Sequence, residues 1–301
     1  MAENSNIGWT HHTFNPWRGC QHAVLADGSE HPACLDCYAE IMSGRNPTVL
    51  GEWGADGVRV MAAAQYWKLP RKWNRDAEKQ GERVRVFCAS LADVFEDWPG
   101  VIHDHQGRVV DGLTLDDLRC ELFDLIDQTP WINWLLLTKR PENIRRMWPA
   151  KKDKRPIFPG APGGLGEPLD CMVTNALRPN VWLITSVSNQ QTFDQYSSQL
   201  GQCGGLAPVL GFSVEPILGY VDMHMGCWRP DWVIVGGLSG SRWQSCGDVT
   251  PLIANIAEQC ADRGIPCYVK QDAARLPGQQ GRIPTAIWNV KQFPQAEAAH
   301  G

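Results

Sequence analysis

At 301 residues, 43% hydrophobic and 20% charged, the chain is long enough to bury a sizeable apolar core. A formal net charge of −5 excludes an overall basic field for nucleic acid, so any such contact needs a local patch. No apolar run reaches the ~18 residues of a membrane span, and Met1–Gly8 lacks a signal-peptide core.

The expected home is therefore a reducing cytoplasm (a host's, if the gene is a phage's). There, eleven Cys read as thiols or metal ligands rather than disulfides. The candidate basic patch is Lys139-Arg140 with Arg145-Arg146 and Lys151-Lys152. Fourteen Trp are an unusual load; they read first as core and second as platforms for planar ligands.

In chain order, Gly8–Phe14 reads as a first strand, followed by Cys20, Cys34 and Cys37. Gly51–Arg83 predicts a helix centred on Val60–Trp67. Val84–Ala89 is an apolar run. Thr114 with Asp117 then opens a capping-box helix carrying Leu118, Leu122, Leu125 and Ile126 on one face. Trp134–Thr138 is the next run, and Lys151–Pro179, rich in Pro, Gly and charge, reads as an inserted loop. Val181–Val187, Val209–Val214 and Trp232–Gly236 follow. Thr250 reads as the N-cap of a helix with Pro251 first, stopped by Gly264 and Pro266 before the last run, Cys267–Gln271.

The runs are near-continuous Val, Ile, Leu and Phe, as in strands covered on both faces, and helices alternate with them. That predicts an α/β fold with parallel strands, in one domain over residues 1–301. Polar residues follow each run: Ser90 and Asp93; Thr138, Lys139 and Arg140; Ser186, Ser188 and Asn189; Ser213 and Glu215; Gly236, Gly237, Ser239 and Gly240; Lys270, Gln271 and Asp272. In an α/β barrel such positions converge on one mouth, where the active site sits. The plainer reading is that polar residues simply begin loops.

The strongest chemical signal is the cysteine set. Cys34 and Cys37 are two residues apart, close enough to share one centre, and Cys20 joins them across a thirteen-residue loop, Gln21–Ala33. A structural zinc site needs a fourth ligand, for which His22 and His31 are candidates. A [4Fe–4S] cluster on three Cys leaves one iron open. Spacing alone leaves both open, along with free thiols; a place at the head of a βα series favours iron.

The stretch Trp9-Thr10 through Phe14-Asn15-Pro16-Trp17-Arg18-Gly19-Cys20 and Cys34-Leu35-Asp36-Cys37-Tyr38-Ala39-Glu40 resembles a bacteriophage and bacterial family marked by a three-cysteine motif. Leu136–Pro141, Thr185–Gln190, Ser213–Pro216, Ile234–Gly240, Val269–Gln271 and Phe293-Pro294 match it too, so the resemblance covers nearly the whole chain. The family looks like a divergent branch of the radical S-adenosylmethionine superfamily. Two departures stand out. The superfamily's usual C-x3-C-x2-C spacing is stretched here at its first gap, and the usual Gly-Gly-Glu is Gly236-Gly237-Leu238.

The resemblance implies a partial (β/α)6-type, TIM-like barrel with an N-terminal cluster-binding loop. Cys20, Cys34 and Cys37 would hold a [4Fe–4S] cluster, with S-adenosylmethionine as cofactor and a reductant of flavodoxin or ferredoxin type as partner. Reductive cleavage of the sulfonium would give a 5′-deoxyadenosyl radical. Glu215 would meet ribose or amine, Ser186 and Asn189 ribose, and Gly236 and Gly237 would let backbone approach the cofactor. Lys139, Arg140 and Lys270 would hold a carboxylate or phosphate. The phage connection points to DNA or nucleotide substrates, in particular an isomerase acting on amino-acid-modified thymine during hypermodification. Trp131, Trp134, Trp148 and Trp243 are candidates to hold an extruded base. Alternatives are nucleic-acid repair, tRNA modification, and a zinc-stabilised accessory protein without catalysis.

Overall fold

The computed structural model describes residues 3–151, 177–224, 226 and 228–295. The expected insertion at 151–179 lies, apart from its ends, outside the described residues, as does Lys152 of the candidate basic patch.

Seven strands form one sheet in strictly sequential order. They are β1 (His12–Thr13), β2 (Val84–Cys88), β3 (Ile132–Thr138), β4 (Val181–Val187), β5 (Val209–Val214), β6 (Trp232–Gly236) and β7 (Cys267–Gln271). Every neighbouring pair is parallel. The last four coincide with the apolar runs of the sequence, and β3 starts two residues earlier than its run.

Helices cross over between strands: α1 (Tyr38–Ser43), α2 (Leu69–Gln80), α3 (Leu115–Asp127), α4 (Gln190–Gly201) and α5 (Thr250–Asp262). Thr114 and Asp117 form the expected capping box at α3. At α5 the cap shifts. Thr250 is already helical, and Asp248 Oδ1 accepts its N–H at 3.0 Å. The helix expected at Val60–Trp67 is absent. Arg59–Met61 instead pairs with Trp17–Arg18 and Ile102–His103 in a small second sheet, and α2 begins at Leu69 with Pro70 in its first turn. Tertiary pairing has overridden the helical propensity of the alanines after Met61.

Side chains alternate between two faces along each strand. On the outer face Val86, Leu136, Leu183, Phe212, Val235 and Val269 pack in one cluster with Leu118, Leu122, Phe193 and Ile253 of the helices. On the inner face Phe87, Leu135, Trp182, Ile184, Trp232, Ile234 and Tyr268 form a second cluster with Trp9. Trp9, just ahead of β1, reaches to 6.4 Å from Trp232 on β6. Five strand spacings on a flat sheet would be roughly 24 Å. The sheet therefore curls into a half-barrel, and an aromatic floor of Trp9, Trp182, Trp232 and Phe293 fills its amino end.

That packing corrects two expectations. Trp134 and Trp148 are buried in the outer cluster and have no face for a base, while Trp131 precedes β3 at the end away from the mouth. Nor does the described part of the basic patch assemble: Arg140 is buried against Asp93, and Arg146 pairs with Asp97. Among the described residues no helix is long and apolar enough to cross a membrane.

Candidate metal centre

The cysteine loop is aimed by its backbone. Gly19 has φ +99°, and its N–H bonds to Leu91 O at 3.1 Å; a Cβ there would come within 2.6 Å of Val58 O. Only glycine fits, and Cys20 follows directly. Cys34 ends a single 3-10 turn, Pro32–Cys34, capped by His31. Cys37 occupies the N-cap position of α1, with its N–H on Cys34 O at 3.1 Å. Tyr38 Oη donates to Ser90 O at 2.8 Å, tying α1 to the segment after β2.

Neither histidine of the loop offers a free ring nitrogen. His31 Nε2 donates to Ser186 O at 3.2 Å, and Nδ1 accepts from Ala33 N at 3.1 Å. Burial, with Lys139 next, pushes its pKa down to about 3, so the ring is neutral. His22 lies between Glu30 (3.1 Å) and Glu40 (2.9 Å). Burial works against its charge; Glu40 and Glu30 outweigh that and raise its pKa. Among the described residues no three His, Cys, Asp or Glu side chains converge as ligands of one ion.

Charges of both signs face the thiols. Arg140 Nη1 stands 3.8 Å from Cys20 Sγ and 3.0 Å from Asp93 Oδ2. Burial opposes the charge of Lys139, but Cys34, Cys37, Asp93 and Cys20 outweigh it and raise its pKa. Lys139 is thus in electrostatic reach of all three cysteines. Burial and then Glu96 push the Cys20 thiol up against the pull of Arg140, and burial pushes the Cys34 thiol up against Lys139. Behind Arg140, Arg59 grips both oxygens of Glu96 at 2.8 and 2.9 Å. Lys139, Arg140 and Arg59 face Asp93 and Glu96, leaving an excess of positive charge. Three thiols in such surroundings suit a centre that binds them as thiolates.

The inner face supplies the rest of the mouth. By alternation Lys139, Ser186, Ser213, Glu215, Gly236 and Lys270 continue the inner rows of β3 to β7. Lys270 Nζ lies 2.9 Å from Glu215 Oε1, and Ser213 Oγ donates to Glu215 Oε2 at 3.1 Å. Ser186, Glu215 and Gly236 thus lie on the inner face at the carboxyl ends of β4, β5 and β6. Asn189 and Gly237 use their side-chain space otherwise. Asn189 Oδ1 accepts Thr192 N at 3.0 Å to cap α4, and a Cβ on Gly237 would lie 2.4 Å from Ala273 N. A cavity of about 210 Å³ opens between α1 and the segment after β6, lined by Tyr38, Met42, Arg45, Gly240 and Arg242 among others.

Residues 4–283 match the family described as "Protein of unknown function (DUF5131)". The chain belongs to that family. A solved structure of a spore photoproduct lyase mutant is similar at a TM-score of 0.41 and 14% identity, over 89% of this chain and 58% of that one. The chain thus spans 58% of the length of that protein. No curated protein matches.

In this DUF5131 chain, sequence reasoning missed Glu96 and Arg59. Glu96 carries a faint signal, three residues beyond Asp93 after an apolar run. Arg59 carries none, since its partner is 37 residues away and its burial comes from the second sheet.

Proposed function

We propose that this chain is a radical S-adenosylmethionine enzyme whose Cys20, Cys34 and Cys37 hold a [4Fe–4S] cluster. The observation that supports the reading is the contact of Arg140 Nη1 with Cys20 Sγ at 3.8 Å, on a loop that also carries Cys34 and Cys37 and is tied through His31 to Ser186, at the carboxyl end of a parallel half-barrel. There strand-end residues from several strands can meet one ligand. When bound, the cluster held by Cys20, Cys34 and Cys37 would supply one electron to cleave the sulfonium of S-adenosylmethionine, with methionine leaving and a hydrogen-atom-abstracting group formed for the substrate.

The chain's own residues bind, orient and exclude water. Glu215, steadied by Lys270 and Ser213, presents a carboxylate to ribose or amine. Lys139 would pair with the carboxylate of such a cofactor, and Gly236, lacking a side chain, lets Glu215 and Lys270 close beside it. Ser186 anchors the cysteine loop through its carbonyl. Asn189 and Gly237 stand at the mouth with their N–H and C=O groups engaged by Thr192, Phe193 and Gln271. The aromatic floor closes the opposite end to water. A flavodoxin- or ferredoxin-type protein delivers the electron.

For the substrate we propose a modified nucleobase, with isomerisation of an amino-acid-bearing thymidine as the specific reaction. Its support is the family resemblance of the motifs, together with Arg45 at the cavity beside α1, which suits phosphate or carboxylate; Arg242 and Lys270 pair with Asp36 and Glu215. Of the four Trp considered for holding a base, Trp243 alone lies on the mouth side, half-buried in the turn Trp243–Cys246 after β6.

Iron and sulfide analysis of anaerobically reconstituted protein, beside Cys34→Ala and Cys37→Ala, tests the reading. Expected are a brown wild type that forms 5′-deoxyadenosine with dithionite, and variants that lose the cluster. Variants with full iron and sulfide, or a colourless wild type with stoichiometric zinc, would overturn it.

A further inference from the structure

Arg140 is anchored more firmly than any hydrogen bond to a thiol requires. Its Nη2 donates to Gln21 O at 2.7 Å and lies 3.9 Å from Glu96 Oε1. Its Nη1 is shared between Asp93 Oδ2 and Cys20 Sγ. Asp93 is itself held by Thr138 Oγ1 at 2.7 Å, Lys139 N at 2.9 Å and Phe95 N at 3.0 Å. Glu96 is fixed by Arg59 and by Gln21 N at 2.8 Å. The guanidinium cannot swing away, so one N–H edge stays against the sulfur of Cys20. The two guanidiniums and two carboxylates balance in charge. Cys20 as a thiolate is then one more negative charge in contact with this group.

We propose that Arg140 is a positioning residue that raises the reduction potential of the cluster through its contact with Cys20. The inference rests on the reading that Cys20, Cys34 and Cys37 hold that cluster. Reduction by one electron from an external donor adds negative charge to a group already ligated by thiolates. A fixed cationic N–H donor beside one ligand sulfur stabilises the reduced form more than the oxidised one. Outer-shell groups of this kind both orient a ligand and tune its metal. The clamp on Gln21 O also fixes the first residue of the loop that brings Cys34 back.

An EPR-monitored redox titration of reconstituted protein tests this, with wild type beside R140Q and R140K. R140Q should shift the midpoint to more negative potential, lowering the reduced-to-oxidised ratio at a fixed potential about tenfold, which is 59 mV for one electron. R140K should shift the same way by less, because it keeps the charge and loses the planar fork. Either variant with wild-type iron, sulfide and midpoint overturns the inference. A wild type that takes up no iron overturns the cluster reading instead, so the two failures are distinct. If both variants lose iron, wild type labelled with 15N-arginine decides by pulsed EPR. A 15N coupling to the reduced cluster is expected, and its absence overturns the inference.

Discussion

Lys270 Nζ lies 2.9 Å from Glu215 Oε1, joining the ends of β7 and β5 across Gly236 of the strand between them. The pair exists because Gly236 has no side chain: a Cβ there would stand 3.0 Å from Glu215 Oε1 and 3.3 Å from Lys270 Cβ. Gly236→Ala should cost about 1–3 kcal/mol of stability by overpacking. It should also weaken S-adenosylmethionine binding more than Ser239→Ala does. Urea unfolding and calorimetric titration measure the two effects. A variant of wild-type stability and affinity would show that the mouth has room to spare.

Arg59 and Glu96 are both fully buried, and the guanidinium also stacks 4.4 Å over Trp98. Removing one partner strands a charge in the interior. Glu96→Leu or Arg59→Met should each cost about 3–5 kcal/mol, whereas the double variant Arg59→Met/Glu96→Leu should recover much of that loss. Chemical denaturation of the four proteins closes the cycle. Single variants within 1 kcal/mol of wild type would mean that the pair is wet.

Asp272 receives Arg282 N and Nε on one oxygen and Arg282 Nη2 on the other, each at 2.9 Å. Burial raises the carboxyl's pKa, but the Arg282 bonds outweigh it, so the folded value lies below the ordinary one. A depressed carboxylate contributes stability above its unfolded pKa and loses it as pH falls through the folded value. Asp272→Asn should therefore cost about 1–3 kcal/mol at pH 7. The gap to wild type should narrow below about pH 4, near the unfolded carboxyl pKa. Urea midpoints from pH 7 to pH 3 test it, and a gap independent of pH would refute the assignment.

Strand positions were legible because a parallel sheet covered on both faces needs largely apolar runs, and β4 to β7 carry them with only a few small or polar residues, mostly at their carboxyl ends. The short β1 was legible only as part of a longer run, since pairing with β2 alone orders just His12 and Thr13. Val60–Met61 misled because its strand depends on Trp17–Arg18, distant in sequence. Of the site, the cysteines and the strand-end polar residues could be read, since their types are rare or their places periodic. Which polar side chains face the mouth could not. Asn189 turns to its own helix and Glu215 turns inward, and that choice is made by capping and by strand parity.

Gly19 and Gly28 bracket Cys20 at its two sides, and both hold positive φ, +99° and +84°. They differ in surroundings. An added Cβ at Gly19 meets Val58 O at 2.6 Å and Arg59 Cδ at 3.0 Å, while at Gly28 nothing lies within 4 Å. Alanine at either position bears the left-handed backbone penalty of about 1–2 kcal/mol. At Gly19 it must also displace the backbone that carries Cys20 and the side chain that holds Glu96. Gly19→Ala should therefore cut iron incorporation severalfold, whereas Gly28→Ala should keep it near wild type with only the backbone penalty in stability. Iron per chain after anaerobic reconstitution, read beside the urea midpoint, separates them. Equal iron in both variants would show that the cysteine loop tolerates displacement at its root, and Gly19 would then matter for its dihedral alone.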